Sequence, residues 1–265
     1  MTAWRSTASG DARADLREYE VLASTRAFAR RVEAARDILR RGATLGPCAV
    51  CVSWGKDSLA LAHLALDTLG AKVPLFHMAG TPMPGYEESV AYFHERATVH
   101  TLPAPKTLDE TIAWCQSVGL PHERTQSEQK RVVQAIKRDR GTEWAMDHGI
   151  AVQVLGMRID EGGPRARLLR KRGPTYQTGD GLWKCNPLAW WSSKDVWAYI
   201  ASRKIPYNRR IYDAETHGQT RETIRNTSWL STDGAEDGRI AWLAFHFPEE
   251  YALLAGHFPQ VRMMR

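Results

Sequence analysis

Short apolar runs alternate with amphipathic stretches through the first two thirds of the chain. Residues 13–41 carry apolar side chains at helical spacing, and 48–52 is a continuous apolar run typical of a buried parallel strand. The pattern predicts further strands and helices in chain order at 59–69 (helix), 73–78 (strand), 87–96 (helix), 98–102 (strand), 107–118 and 126–148 (helices), 151–155 and 183–190 (strands) and 192–202 (helix). This rhythm predicts an α/β fold with a doubly wound parallel sheet.

The pattern also divides the chain into three parts. We expect a helical N-terminal extension at 1–46, a central domain at 47–213, and an irregular and helical C-terminal region at 214–265 packed on it. Within the central domain, 160–181 is polar, basic and rich in Gly and Pro, so it is predicted to be a long loop.

Candidate chemistry follows the first strand, in the segment Ser53-Trp54-Gly55-Lys56-Asp57-Ser58 (the loop 53–58). Open α/β sheets bind ligands beyond the carboxyl ends of their strands, and free N–H groups at a helix N-terminus favour phosphate. Gly55 permits close backbone approach, the two serines add hydroxyl donors, and Lys56 adds a positive charge. The alternative is an ordinary strand-to-helix turn whose Ser and Asp side chains cap a helix.

The loop 53–58 differs from the mononucleotide P-loop. Its Gly-Lys pair is followed by Asp57 where that motif has Ser or Thr, and Val50 stands where the motif has its first Gly. We therefore predict a phosphate-binding loop of another kind.

Charge and composition favour an acidic partner. Lys and Arg total 36 against 30 Asp and Glu, a formal net charge of +6, which suits nucleotides, nucleic acid or sulfate esters. No apolar run approaches the ~20 residues that span a bilayer, and no signal-peptide core follows Met1, so we expect a cytoplasmic protein without a membrane partner. The four cysteines are then expected to be reduced thiols.

Three segments resemble known motifs in the same order. The loop 53–58 resembles the Ser-x-Gly-Lys-Asp-Ser signature of the adenine nucleotide α-hydrolase, or PP-loop, superfamily. Gly156-Met157-Arg158-Ile159-Asp160-Glu161 with Arg165, and the block from Asn186 to Asn208, resemble elements of the phosphoadenylyl sulfate (PAPS) reductase-like family within it. The resemblance covers 47–213 and implies a Rossmann-type nucleotide-binding domain.

The resemblance implies a set of site residues around ATP. The loop 53–58 would hold pyrophosphate with Lys56 offsetting its charge, and adenine would lie near the end of the second strand. Lys56, Asp57, Arg158 and Arg165 are the candidate catalytic residues; the two arginines could instead form salt bridges to Asp160 and Glu161. The candidate nucleotide-binding residues are Ser53, Trp54, Gly55, Lys56, Asp57, Ser58, His77, Met78, Ala79, Gly80, Gly156 and Arg158. Asp57 and Asp160 are the candidate ligands for Mg²⁺.

The cysteines distinguish this chain from the reductases it resembles. As a family those enzymes carry a nucleophilic cysteine near the C-terminus, whereas no cysteine follows Cys185 here. No iron–sulfur cluster is expected either. Cys48 and Cys51 have C-x-x-C spacing but lie in a strand, so they are interpreted as buried apolar residues, as is Cys115 in a helix. For Cys185 we expect packing, with a place in the nucleotide cleft as sulfur relay the alternative.

These observations predict an ATP pyrophosphatase or adenylyltransferase that cleaves the α–β bond with Mg²⁺. The Arg-rich stretch 165–172 and the missing reductase cysteine favour sulfur insertion of the DNA phosphorothioation type, with DNA or another acidic acceptor and a cysteine desulfurase as partners. An oligomer is compatible with the sequence. One alternative is PAPS or adenylyl sulfate (APS) reduction or sulfate adenylylation, and another is a non-catalytic nucleotide or nucleic-acid binding module.

Overall fold

The computed structural model of the chain describes residues 16–79, 85–103, 127, 140–213, 220–224, 244, 247–259 and 262. The predicted helix at 107–118 and most of the C-terminal region lie outside these residues, as does the part of the predicted helix 126–148 that precedes residue 140, apart from residue 127. The chain divides into two compact units, one made of 1–78, 84–102 and 141–224, the other of 79–83, 103–140 and 225–265. The division predicted at 46 and 213 stays a prediction.

Six strands form one sheet in the first unit. They are β1 (Cys48–Val52), β2 (Leu75–Met78), β3 (Val99–Leu102), β4 (Val152–Val154), β5 (Thr175–Gln177) and β6 (Trp183–Cys185). The strand order is β3-β2-β1-β4-β6-β5, and every neighbouring pair is parallel except β5 with β6. The predicted doubly wound α/β sheet is therefore confirmed.

The chain adds β2 and β3 on one side of β1 and then crosses to the other side to add β4, so the strand order reverses between β1 and β4. Val50 of β1 pairs with Leu75 of β2 on one side and with Val154 of β4 on the other. Crossovers to the two sides leave a crevice at the carboxyl ends of these central strands, where open α/β sheets bind ligands. The loop 53–58 leaves β1 at this crevice, and Gly156 follows β4 at the same edge.

Nine helices accompany the strands in the described residues. They are α1 (Arg17–Ala23), α2 (Arg26–Ala43), α3 (Lys56–Leu69), α4 (Glu87–His94), α5 (Arg140–Asp147), α6 (Gly163–Arg172), α7 (Ser193–Arg203), α8 (Arg209–Tyr212) and α9 (Pro248–His257). A single turn of 3₁₀ helix covers Ile159–Glu161. Within the described part of the chain, no helix combines the length and apolar composition needed to cross a membrane.

The predicted single helix over 13–41 is wrong, because the structure has two helices there. Thr25 adopts an extended conformation between α1 and α2, and its hydroxyl accepts the Phe28 N–H at 3.1 Å. A side chain that caps a helix N-terminus this way competes with continuation of the preceding helix. The apolar face of α2 is nonetheless buried as its spacing indicates, through Phe28, Val32, Ala35, Ile38 and Leu39.

The predicted loop over 160–181 is also wrong. It contains α6 and the edge strand β5, separated by Gly173 at φ 77°. Pro164 favours the first turn of α6, and Ala166 and Leu169 bury one narrow face of it. Three aliphatic residues in a strongly basic run, Ala166, Leu168 and Leu169, give a weak periodic signal, so composition alone predicts a loop here. The strand predicted over 183–190 is shorter, because it ends at Cys185.

Candidate functional site

The loop 53–58 turns sharply from β1 into α3. Trp54 occupies the left-handed region with φ 61°, a conformation that costs a non-glycine residue about 1–2 kcal/mol. Its ring is buried and lies 5.2 Å from the His77 ring and 6.1 Å from the Phe93 ring, measured between centroids. These contacts hold the turn in place, and Gly55 then forms the N-cap of α3.

The two serines of the loop have different surroundings. Ser58 is buried, and its hydroxyl accepts the Ser53 N–H at 3.1 Å while donating to the Gly55 carbonyl oxygen at 2.9 Å. Ser53 is exposed. The Ser58 hydroxyl therefore connects the two ends of the loop. The role of this hydroxyl as a hydrogen-bond donor to phosphate stays a prediction.

Lys56 is the first residue of α3 and is held at both ends. Its side chain is 3% exposed, and Nζ donates to the Ile224 carbonyl oxygen at 3.0 Å and lies 3.6 Å from Asp57 Oδ2. Its backbone N–H donates to the Tyr212 hydroxyl at 3.1 Å. Burial lowers the pKa of the Lys56 ammonium. A buried cation at a helix N-terminus favours a bound anion.

Arg158 connects the segment after β4 to this loop. Its guanidinium is 4% exposed; Nε donates to Asp57 Oδ1 at 2.6 Å and Nη1 to Asp160 Oδ2 at 3.0 Å. Gly156 packs against the loop 53–58, since a Cβ there would lie in van der Waals contact, at 3.4 Å, with the backbone carbonyl of Asp57. The structure thus brings five predicted site residues together at the crevice: Lys56, Asp57, Gly156, Arg158 and Asp160.

The predicted Arg165 pairs with Glu161, a carboxylate that is not one of these five residues. It is exposed on α6, where Nη1 donates to Glu161 Oε2 at 2.8 Å, one of the ion pairs that sequence leaves open. Arg158 likewise pairs with Asp160, but it contacts the loop 53–58 as well. The catalytic role of Arg165 stays a prediction.

The predicted adenine-binding residues lie in and just after the carboxyl end of β2, the strand beside β1. His77 is half-buried, and Nδ1 lies 3.0 Å from the Val52 carbonyl oxygen; burial lowers the pKa of its imidazole. Met78 is half-buried beside it. Ala79 belongs to the other compact unit, and Gly80 lies outside the described residues.

The carboxylates do not form a metal site by themselves. Asp57 Oδ1 is taken by Arg158 and its Oδ2 faces Lys56, while Asp160 Oδ2 accepts from both Arg158 and the Ser193 N–H. Among the described residues there is no group of three His, Cys, Asp or Glu side chains that could hold an ion. Because these carboxylate oxygens are engaged by cations and an amide, Asp57 and Asp160 do not provide a Mg²⁺ site without further ligands.

The described cysteines are unsuited to act as thiolates. Burial raises the pKa of the Cys51 thiol to about 12 and that of Cys185 to about 11, and it also raises the pKa of Cys48. Cys185 Sγ lies 3.6 Å from the Ile38 carbonyl oxygen, against α2, so the expected packing role is confirmed and a place in the nucleotide cleft is wrong. Cys115 lies outside the described residues.

Two residues that contact Lys56, Tyr212 and Ile224, are not predicted from the sequence. Tyr212 and Ile224 are 156 and 168 residues away along the chain, and neither belongs to a motif quoted for phosphate binding. Tyr212 lies just beyond the block that ends at Asn208. A pattern confined to the loop 53–58 has no means of identifying contacts of such sequence separation.

The fold is an open α/β sheet, and the candidate site lies at its switch point, where sheets of this kind bind ligands. Residues 47–220 match the phosphoadenosine phosphosulfate reductase domain family, and the chain belongs to that family. The range agrees with the resemblance over 47–213.

Relatives with known names match short parts of the chain. An adenosine 5'-phosphosulfate reductase of Allochromatium vinosum is 38% identical over 60 residues, 23% of this chain and 22% of the relative. A phosphoadenosine 5'-phosphosulfate reductase of Gloeobacter violaceus is 38% identical over 55 residues, 21% of this chain and 22% of the relative. The chain thus spans about a fifth of the length of these curated relatives.

A solved structure shows the same fold over a longer range. It is the PAPS reductase from Candida auris in a phosphate complex, with a TM-score of 0.50 over 76% of this chain and 91% of that one. The sequences are 16% identical, so the similarity shows the fold alone.

Proposed function

We propose that the chain cleaves ATP between its α and β phosphates, releases pyrophosphate and activates an acceptor by adenylylation. The observation that carries the proposal is the buried Lys56 at the N-terminus of α3, beside the Arg158–Asp57 pair at the sheet's switch point. Catalysis of this reaction is mostly positioning and charge stabilisation. Both need fixed cations where the leaving group develops charge.

Each residue of the cluster has a distinct part in this proposal. The Lys56 ammonium and the first-turn N–H groups of α3 that follow the Lys56 N–H hold the β and γ phosphates as the leaving group, while the Lys56 N–H itself donates to Tyr212. Arg158 faces the α phosphate from the β4 side, since a guanidinium matches phosphate oxygens in a fork geometry. Asp57 fixes the orientation of Arg158 through the 2.6 Å contact.

The acceptor that fits is acidic, as in sulfur insertion into nucleic acid with a cysteine desulfurase as donor. Helix α6 carries no carboxylate, and its basic residues are exposed: Arg165, Arg167, Arg170, Lys171 and Arg172. The Trp190 side chain is 54% exposed. The carbonyl of the preceding Ala189 accepts the Ile159 N–H at 2.9 Å, so Trp190 lies beside the turn that leads into α6. Cations and an exposed indole suit phosphates and bases.

Product analysis with radiolabelled ATP and Mg²⁺ tests the proposed reaction. We expect pyrophosphate with AMP or an adenylylated acceptor, and loss of that product in Lys56→Ala and Asp57→Ala with the fold retained. Lys72→Ala is the matched control, because Lys72 is exposed beyond the C-terminal end of α3. ADP as product, or equal activity in Lys56→Ala, would contradict the proposal.

A second candidate function is reduction of a sulfonucleotide, favoured by the named relatives. A thiolate must attack the sulfur of such a substrate. Burial raises the pKa of all three described cysteines, so the reductant would be an external thiol. Sulfite release from APS or PAPS with thioredoxin, and no pyrophosphate from ATP, would establish this alternative.

A further inference from the structure

A tyrosine outside the matched loop touches the backbone of the candidate catalytic lysine. The Tyr212 hydroxyl accepts the Lys56 N–H at 3.1 Å, and the tyrosine ring centre lies 5.9 Å from Lys56 Nζ. Lys56 is the first residue of α3, so its N–H has no partner within the helix. The hydroxyl therefore supplies the partner that a phosphate oxygen would otherwise provide.

Tyr212 is held rigidly in this place. Its side chain is 2% exposed, and its ring lies 5.1 Å from the Trp197 ring and 6.4 Å from the Tyr207 ring. It ends the short helix α8, whose N-cap Asn208 accepts the Ile211 N–H through Oδ1 at 3.3 Å. A ring enclosed in this way is suited to fixing its neighbour and unsuited to swinging aside as a gate.

The side chain of Lys56 is fixed from the same direction by the segment 220–224. Ile224 accepts from Nζ through its carbonyl oxygen at 3.0 Å. The segment is itself anchored: Ser193 Oγ donates to the Glu222 carbonyl oxygen at 2.7 Å, and Trp197 Nε1 donates to that of Arg221 at 3.1 Å. The backbone N–H and the side-chain ammonium of Lys56 are thus both held by groups that pack against α7.

We infer that Tyr212 is a positioning residue of the nucleotide site, fixing the backbone of Lys56 so that its ammonium meets the leaving phosphates in one geometry. The inference rests on the proposed function. An ammonium has three N–H donors, so contacts with Ile224 and Asp57 leave a third for a phosphate oxygen. A lysine fixed in advance loses little side-chain freedom when the transition state forms, which affects turnover more than ground-state binding.

Tyr212→Phe tests this, with Tyr207→Phe as the matched control. Tyr207 belongs to the same aromatic cluster, but its hydroxyl donates to Asp213 at 3.0 Å and not to Lys56. We expect Tyr212→Phe to lower kcat for pyrophosphate release from ATP by roughly 10- to 100-fold with KM changed less than about threefold. We expect Tyr207→Phe to stay within about twofold of the parent protein in kcat.

Amide hydrogen exchange gives a readout that does not require turnover. The Lys56 amide should exchange at least about tenfold faster in Tyr212→Phe and unchanged in Tyr207→Phe. Unchanged exchange or unchanged kcat in Tyr212→Phe, or an equal loss of kcat in both variants, would overturn the inference.

Binding of inorganic pyrophosphate separates the two ways of failing. A parent protein that binds pyrophosphate but releases none from ATP contradicts the proposed function alone. Because pyrophosphate carries the charge that ATP develops only as the bond breaks, the positioning role then predicts weaker pyrophosphate binding in Tyr212→Phe than in Tyr207→Phe, and equal affinity in these two variants would overturn it.

Discussion

Arg158 Nε lies 2.6 Å from Asp57 Oδ1, and this contact joins the segments that follow β4 and β1 across the switch point of the sheet. Both groups reach it from the carboxyl ends of neighbouring parallel strands. The guanidinium is 4% exposed and the carboxylate 22%. Removing either partner leaves the other charge partly desolvated, so the pair ties loop geometry to site electrostatics.

Replacing this arginine should reduce both stability and activity. Arg158→Lys keeps the charge but loses the simultaneous contacts with Asp57 and Asp160, because an ammonium is a point donor. We expect pyrophosphate release to fall about 10-fold or more, and the free energy of unfolding to fall by about 1–3 kcal/mol. Kinetics and urea denaturation measure the two effects. Arg26→Lys, at an exposed position at the start of α2, should change pyrophosphate release by less than about twofold and the free energy of unfolding by less than about 0.5 kcal/mol; a loss matching that of Arg158→Lys would be contrary to this assignment.

Nucleotide affinity should weaken as the pH rises. Burial lowers the pKa of Lys56 below its ordinary 10.5, and a bound phosphate raises it again by favouring the charged form. Because the bound state has the higher pKa, affinity is full below the lowered pKa and decreases as the pH rises through it. Calorimetric titration with a non-hydrolysable ATP analogue across this range measures the slope. Lys56→Arg should flatten it, since a guanidinium stays charged; the same slope in that variant would exclude Lys56 as its source.

Trp54 should stabilise the protein despite its backbone strain. Trp54→Gly relieves the left-handed conformation, worth about 1–2 kcal/mol, but removes a buried ring whose loss costs about 3–5 kcal/mol. The net expectation is a loss of about 1–4 kcal/mol in the free energy of unfolding, measured by chemical denaturation. Trp190→Gly, at a side chain 54% exposed, is the control and should cost less. A Trp54→Gly variant more stable than the parent protein would show that strain dominates.

Gly42 and Cys185 should be coupled through packing. A Cβ at Gly42 would lie 2.6 Å from Cys185 Sγ, inside any normal contact distance. Gly42→Ala should therefore destabilise the chain by about 1–3 kcal/mol, and Cys185→Ala in the same chain should recover most of it. A double-mutant cycle by thermal or urea unfolding measures the coupling. Additive effects would show that the thiol does not limit the space at Gly42.

Much of this fold follows from local sequence pattern. Ala49, Val50 and Val52 are buried and Cys48 and Cys51 half-buried, and the apolar continuity of this run places β1 with its observed bounds. The helix break at Thr25 and the helix α6 cannot be predicted in this way, because a single capping hydroxyl and three aliphatic residues in a basic run give little periodic signal.

Some contacts in the candidate site are likewise predictable from the sequence, and others are not. Asp57 and Arg158 are predictable as neighbours, since each follows a strand at the carboxyl edge of a parallel sheet. Tyr212 and Ile224 are not, because their contacts with Lys56 depend on how α8 and the segment 220–224 pack against α7. Such contacts arise only from the tertiary fold.

The most direct measurement is the position of bond cleavage in ATP, followed with α- and γ-labelled nucleotide in the parent protein and in Lys56→Ala. The account predicts labelled pyrophosphate together with AMP or an AMP adduct from the parent protein, and neither from Lys56→Ala. Labelled orthophosphate with ADP, or pyrophosphate formed equally well without the Lys56 ammonium, would contradict it.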